Sequence, residues 1–217
     1  MTDKITANGV CIYSGSSIGT KDVYREVAES IGVALSSRDI TVVYGGGDFG
    51  LMGVVARSAL KNNGKVTGII PRAMVGVGEK GRGEKSTESD IDTFPNLDTV
   101  VVESMHERKL AMAERSRAFI ALPGGFGTLE ELLEVTTWSQ LNIHSKPVVA
   151  INVDGFYEPL KAFITTAVEA GFISKKNADL LKFIDTPVDG DWGKVIFDAF
   201  EQYRPTGEEY NFNWAQA

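Results

Sequence analysis

Short runs of apolar, β-forming residues alternate with longer stretches of helical spacing along nearly the whole chain, and this alternation constrains the fold more than any other feature. The strand candidates are residues 10–13, 40–44, 66–70, 99–102, 119–121 and 148–152, with a seventh at 181–184. Helical stretches fall between them at 21–37, 51–62, 105–117, 129–141, 157–169 and 192–203. Strand, helix and strand in that order is the signature of a parallel sheet covered on both faces. The pattern predicts a single doubly wound α/β domain over residues 1–204, with a parallel sheet of about seven strands and a C-terminal tail at 205–217. There is no internal repeat and no hinge-like linker.

A chain of 217 residues, 43% hydrophobic and 24% charged, buries a full core without disulfides, which removes disordered, fibrous and collagen-like classes. The lone Cys11 lies in the apolar run Val10-Cys11-Ile12 and reads as a buried strand thiol rather than a nucleophile. Twenty-nine acidic against 22 basic side chains give a formal charge of −7, the wrong sign for nucleic acid as main partner. Any anion bound here is expected to be small and held locally. Residues 1–8 are polar, with no signal-peptide core, and no run approaches the ~18 apolar residues of a membrane span. A cytoplasmic protein without membrane contact is the expectation.

Two segments break the alternation. Residues 71–95 are rich in Gly, Glu, Lys and Ser and exceed the ~12–15 residues of an ordinary connection, so a lid or pocket rim is expected there. The tail carries Tyr210, Phe212 and Trp214 in polar surroundings, which suits either a frayed end or an arm packed on a neighbouring surface.

In a doubly wound sheet ligands sit at the carboxyl ends of the strands. Three loops there are rich in glycine: Ser14-Gly15-Ser16-Ser17, Gly45-Gly46-Gly47-Asp48-Phe49-Gly50 and Pro123-Gly124-Gly125-Phe126-Gly127-Thr128. Each is read as opening a helix. Glycine lets backbone N–H groups approach an oxyanion, and a helix N-terminus adds unsatisfied donors and partial positive charge, which together make a phosphate site. The alternative is that the glycines only make tight turns. Gly45 to Gly50 matches G-x-G-x-x-G, but it follows the second strand. The next strand end reads Ile70-Pro71-Arg72, without the acid that takes a dinucleotide's ribose, so a mononucleotide is favoured over NAD.

Ser104 and Glu107 have capping-box spacing, which starts a helix there and gives Glu107 a structural role. Arg108 and Lys109 then fall in its first turn, where cations oppose the macrodipole by ~0.3–1 kcal/mol each. A bound anion or a catalytic carboxylate would account for them. A solvated basic pair, or a salt bridge to Glu103, is the plainer possibility. His106 lacks a second metal ligand at useful spacing, and His144 sits in the loop 142–147. Thr128 and Glu131 repeat the capping-box spacing, so Glu131 reads first as a cap. Leu129, Leu132, Leu133 and Thr136 form the expected core stripe of the following helix. Glu130 and Glu131 are left outside it, ~100° apart, with Val135 and Trp138 off the main stripe as a possible second buried face. Two carboxylates beside a phosphate site repel the phosphate unless one has separate work. Cleavage at an anomeric carbon supplies it, since a carboxylate stabilises an oxocarbenium-like transition state and activates water.

Tyr44-Gly45-Gly46-Gly47 with Gly50-Leu51-Met52-Gly53, Met105-His106-Glu107-Arg108-Lys109, and the run from Pro123 through Gly124, Gly125, Phe126, Gly127, Thr128 and Leu129 to Glu130 and Glu131 resemble the signatures of the Lonely Guy family of cytokinin riboside 5′-monophosphate phosphoribohydrolases. The resemblance runs from about Val10 to Tyr203 and includes Thr137-Trp138-Ser139-Gln140-Leu141 and Lys146-Pro147-Val148. It implies a Rossmann-like α/β/α sandwich, dimeric, that hydrolyses the N-glycosidic bond of a nucleoside monophosphate to free base and ribose 5-phosphate. It implies no metal and no organic cofactor.

By the same resemblance Arg108, Glu131 and, as second choice, Glu130 match catalytic positions. Lys109, Gly125 to Thr128 and Thr137 match substrate-binding ones. With the glycine loops, the expected substrate or phosphate contacts are Ser14, Gly15, Ser16, Gly45, Gly46, Gly47, Met105, Lys109, Gly124, Gly125, Phe126, Gly127, Thr128, Leu129 and Thr137. Residues 75–96 depart from the family pattern, and an acidic contact there could be Glu79, Glu84 or Glu88. Such sequences are often labelled lysine decarboxylase, a chemistry that needs a pyridoxal phosphate Schiff-base lysine in a much larger fold. The leading expectation is hydrolysis of N6-substituted adenosine monophosphates. A broader nucleoside monophosphate nucleosidase and a non-catalytic carrier, like those of the molybdenum cofactor, are the alternatives.

Overall fold

The computed structural model of the protein describes residues 7–75, 91–205, 212 and 214. Seven parallel strands form one sheet in the order β4-β3-β2-β1-β5-β6-β7. The strands are β1 Gly9–Tyr13, β2 Thr41–Tyr44, β3 Val66–Pro71, β4 Leu97–Val102, β5 Ser116–Ala121, β6 Val148–Asn152 and β7 Leu181–Asp185. The helices are α1 Asp22–Ser36, α2 Gly50–Lys61, α3 Met105–Glu114, α4 Phe126–Gln140, α5 Glu158–Glu169, the single turn α6 Lys175–Ala178, and α7 Trp192–Gln202. The doubly wound parallel sheet expected from the alternation is what forms, in the Rossmann-like sandwich that the family resemblance implies.

Strand alternation assigns each side chain to a layer. In β1, Val10 and Ile12 pack with α1, α2 and α7, whereas Cys11 and Tyr13 join the core under α3, α4 and α5. Cys11 is fully buried, as its position in the apolar run predicts, and burial pushes its thiol pKa well above the usual range. The α3 stretch expected to reach residue 117 stops at Glu114. Ser116 already pairs with Gly9 in the sheet, and its hydroxyl donates to the Met112 carbonyl at 2.8 Å, so helix and strand meet across Arg115 alone.

The strand order reverses between β1 and β5. From β1 the chain winds outward through β2, β3 and β4, and from β5 it winds the other way through β6 and β7. Connections leaving adjacent carboxyl ends therefore diverge, and a crevice opens between them. Residues 14–21 follow β1 and residues 122–125 follow β5, so two of the glycine loops flank that crevice. Residues 76–90, with Glu79, Glu84, Glu88 and the expected lid, lie outside the described residues, as does Tyr210. From the tail, the Trp214 indole N–H donates to the Leu141 carbonyl just beyond α4 at 3.0 Å.

Candidate active site

The three glycine loops are tied together. Gly15 N–H donates to the Pro123 carbonyl at 2.9 Å, and the Gly15 carbonyl accepts from Leu51 N–H at 3.0 Å. Gly50 takes φ +59°, and a Cβ on it would collide with the Ser16–Ser17 backbone. A Cβ on Gly124 would collide with the Thr128 side chain and stand 2.9 Å from Gly15 N. These glycines serve close loop packing, the plainer of the two readings. Gly125 and Gly127 differ, because a Cβ on either meets nothing within 4 Å. Ser14 is buried beside Gly15, with its hydroxyl lacking any hydrogen-bond partner, and Ser16 is half-buried. The loop after β1 does not open a helix directly, since α1 starts only at Asp22, whereas the other two lead straight into α2 and α4.

Helix α4 begins three residues earlier than the sequence suggested. Gly125 is its N-cap, no side chain caps it, and Leu129 N–H bonds to the Gly125 carbonyl at 3.1 Å. Thr128 therefore sits inside the first turn, and the capping box between Thr128 and Glu131 does not exist. The N–H groups of Phe126, Gly127 and Thr128 are the first-turn donors that an α-helix leaves without intrahelical partners. The buried stripe is also different: Thr128, Leu132, Val135 and Ser139 face the core, and Leu133 is exposed. Val135 thus belongs to the main core and not to a second face. Phe126, Glu130, Leu133 and Thr137 line the exposed side, with the Thr137 hydroxyl turned back to the Leu133 carbonyl at 2.8 Å. Thr137 is not brought into the cluster formed by the other expected residues.

Freed from capping, Glu131 meets Arg108. Arg108 Nη1 stands 3.3 Å from Glu131 Oε1, with the side chains 11% and 12% exposed. Ser104 caps α3, its hydroxyl accepting from Glu107 N–H at 3.1 Å, while the Glu107 carboxylate accepts from Glu103 N–H at 2.9 Å. That places Arg108 one turn into the helix, over the ends of β2 and β3. Its Nε donates to the Ile69 carbonyl at 3.1 Å, and Nη2 reaches the Gly45 carbonyl at 3.5 Å. A Cβ on Gly45 would overlap the guanidinium, so this glycine makes room for Arg108. Met105 Sδ lies 4.0 Å from Nη1. The alternative partner Glu103 is taken by Arg72, whose Nη2 approaches it at 2.6 Å.

Lys109 is held as firmly, with Nζ 2.6 Å from Glu130 and 2.8 Å from Glu134. Burial would lower its pKa, but the two carboxylates outweigh burial and raise it. Glu130 and Glu131 thus take different cations, Glu130 half-exposed and Glu131 enclosed. Glu134 was not foreseen, although its i, i+4 spacing from Glu130 places both on one side of the helix. Burial raises the Glu131 carboxyl from 4.5 to about 7, against the lowering pull of Arg108 and with further upward pressure from Glu130. A carboxyl poised near neutrality beside a fixed guanidinium, next to an uncapped helix N-terminus, can exchange a proton with a bound molecule at ordinary pH. His106 is exposed, and His144 lies part-buried between the Val135 carbonyl and Lys146 N–H, its pKa pushed down to about 4. Among the described residues no group of His, Cys, Asp and Glu could hold a metal ion, and no helix is long and apolar enough to cross a membrane.

Comparison with known proteins gives the family. A family model described as "Possible lysine decarboxylase" matches residues 52–190. The chain is 43% identical over 200 residues to the probable cytokinin riboside 5′-monophosphate phosphoribohydrolase LOGL2 of Oryza sativa subsp. japonica, covering 92% of this chain and 75% of that one. It is also 43% identical over 199 residues to cytokinin riboside 5′-monophosphate phosphoribohydrolase LOG3 of Arabidopsis thaliana, covering 92% and 84%. Among solved structures, the molybdenum cofactor carrier protein of Chlamydomonas reinhardtii matches with a TM-score of 0.56 at 17% identity, over 89% of this chain and 98% of that one, a likeness of fold alone. With its glycine loops, its Arg108–Glu131 pair and this identity over nine-tenths of its length, the chain belongs to the Lonely Guy family of cytokinin riboside 5′-monophosphate phosphoribohydrolases.

Proposed function

We propose that the protein hydrolyses the N-glycosidic bond of N6-substituted adenosine 5′-monophosphates of the cytokinin type, releasing the free base and ribose 5-phosphate. The observation that carries this reading is the enclosed Arg108–Glu131 pair beside the N-terminus of α4, in a chain 43% identical to relatives named for that activity. The 5′-phosphate docks on the first-turn N–H groups of Phe126, Gly127 and Thr128, above the bare α-carbons of Gly125 and Gly127, with Ser14, Gly15, Ser16 and Gly124 forming the floor of the crevice. As the bond between C1′ and the purine nitrogen breaks, positive charge grows on the ribose, and the Glu131 carboxylate stabilises it. A water oxygen bonds to C1′ and its proton passes to Glu131, while the purine leaves with the bonding electrons and takes a proton from solvent. Glu131 then returns its proton to solvent, restoring the carboxylate. Arg108, locked on the Ile69 and Gly45 carbonyls, keeps the carboxylate oriented and favours its ionised form. Glu130 and Glu134 hold Lys109 at the mouth. The working form is a homodimer joined through the exposed stripe Phe126, Leu133 and Thr137 of α4, and the protein acts in the cytoplasm. Incubation with isopentenyladenosine monophosphate, AMP and the unphosphorylated riboside, with measurement of released base, tests the reading. Turnover of the first alone or foremost supports it; equal turnover of AMP points to a general nucleosidase, and no turnover of any of them sinks it.

A further inference from the structure

The loop of residues 45–50 is gripped from behind by a pair that the catalytic reading does not use. Arg57, in the second turn of α2, forms an ion pair with Asp48, the side chains 13% and 23% exposed, and its Nη1 also lies 3.3 Å from the Asp48 carbonyl. A Cβ on Gly53 would stand 2.8 Å from both Arg57 Nη1 and the Asp48 carbonyl carbon, so the pair packs over a bare α-carbon. Below, Gly46 adopts φ +78° against the Ile70 side chain, and a Cβ on Gly68 would stand 2.9 Å from the Gly46 α-carbon. In front, Gly45 presents its α-carbon and carbonyl to the Arg108 guanidinium. The loop is thus a layer of bare backbone met by two arginines, Arg57 at Asp48 and Arg108 at Gly45. Glycines supply no side-chain packing to hold such a layer in place, so its position depends on what clamps it. Asp48 near the start of α2 is favoured by the macrodipole, but a cation reaching back to that end is not, and the burial of Arg57 there calls for an account.

We propose that Arg57 is a positioning residue for the hydrolysis: by gripping Asp48 it fixes the glycine loop that seats the Arg108 guanidinium against Glu131. This rests on the proposed function and adds a residue to its machinery at one remove. The groups facing Glu131 are Arg108 and Lys109 from α3, Glu130 and Glu134 from α4, and Cys11 and Tyr13 from β1. The loop bears on Arg108. Loosening it at Asp48 withdraws the cation directly, whereas the first-turn N–H groups of α4 belong to another element and are joined to the loop only through Gly15.

The test compares wild type, Arg57→Gln, Asp48→Asn and Arg57→Lys for kcat, KM, the pH profile of kcat/KM on isopentenyladenosine monophosphate, and thermal stability. Arg57→Gln and Asp48→Asn are expected to lower kcat by about tenfold with KM nearly constant, and to move the acid limb up by about one pH unit. Arg57→Lys keeps the charge but not the two-point grip and should fall between, which also carries the test if Arg57→Gln is not recovered folded. Folded variants with the wild-type kcat and acid limb, whatever their melting temperature, overturn the proposal, as does a change confined to KM. Glu131→Gln assayed alongside separates the claims: if it is inactive while the Arg57 variants match wild type, only the positioning role fails. If it keeps wild-type turnover, the catalytic role of Glu131 and the positioning role that depends on it fail together, and if wild type itself releases no base, the hydrolysis reading fails.

Discussion

Arg108 reaches Glu131 across the gap between α3 and α4 at 3.3 Å, and each side chain is only about one-tenth exposed. A buried pair is seldom a gain in stability over apolar packing, because both ions lose their hydration. That Glu131 stays raised to about 7 despite the cation shows the cost has not been cancelled. On the proposed function, the arrangement serves chemistry rather than the fold.

Glu131→Gln keeps the shape of the side chain and removes its charge and basicity. We expect kcat to fall by ~10²-fold or more with KM little changed, measured by base release under saturating substrate. His106→Ala, at an exposed position, should leave turnover near wild type.

The pH dependence has a defined sign. Activity should rise through about pH 7 as Glu131 ionises. Stability runs the other way. Because the folded pKa lies above the ordinary 4.5, the folded state keeps a proton between those values that the unfolded chain has lost. The contribution is full below the unfolded pKa and is lost as pH rises to the folded one. The melting temperature of Glu131→Gln relative to wild type should therefore increase between about pH 5 and about pH 8. A difference that stays flat over that range would show that burial does not raise the Glu131 carboxyl.

Neighbouring glycines should part company under substitution. Gly125→Val adds carbon to open space in the free protein, so the fold should survive while KM for the monophosphate rises and any weak riboside cleavage is unchanged. Gly124→Ala drives a methyl group into Thr128 and Gly15, so its main effect should be a lower melting temperature.

The exposed apolar stripe on α4, with Phe126 95% and Leu133 42% exposed, gives the assembly a specific test. Sedimentation should show a dimer for wild type and a monomer for Leu133→Lys. A wild-type monomer would remove the dimer from the functional account.

The sheet was legible because strands covered on both faces, such as β1 and β6, leave uninterrupted apolar runs, and helices between them leave no doubt of parallel connections. Helix α4 was harder. Its apolar residues are spread round the wheel, so hydrophobicity alone chose Leu133 over Val135. The Thr128–Glu131 spacing imitated a cap that the glycines had already moved upstream to Gly125. Arg108 and Lys109 were legible as cations in the wrong place for a helix start, which correctly demanded negative partners. Which carboxylate each takes depends on how α3 and α4 lie side by side, and Glu131 is far from Arg108 in sequence. The pairing of Asp48 with Arg57 is not legible in the sequence, because an ion pair across a glycine turn has no periodicity to announce it.

Gly15, donating to Pro123 and accepting from Leu51, joins the connections after β1, β2 and β5 through one residue. Loops are ordinarily the parts of a protein that drift and change length independently. Here an insertion in any of the three would have to be matched in the other two or lose the shared peptide. The rim of this crevice should accordingly travel through evolution, and through any attempt to graft it onto another sheet, as a single inherited unit, with new substrate preferences arising instead from the connections that Gly15 does not touch.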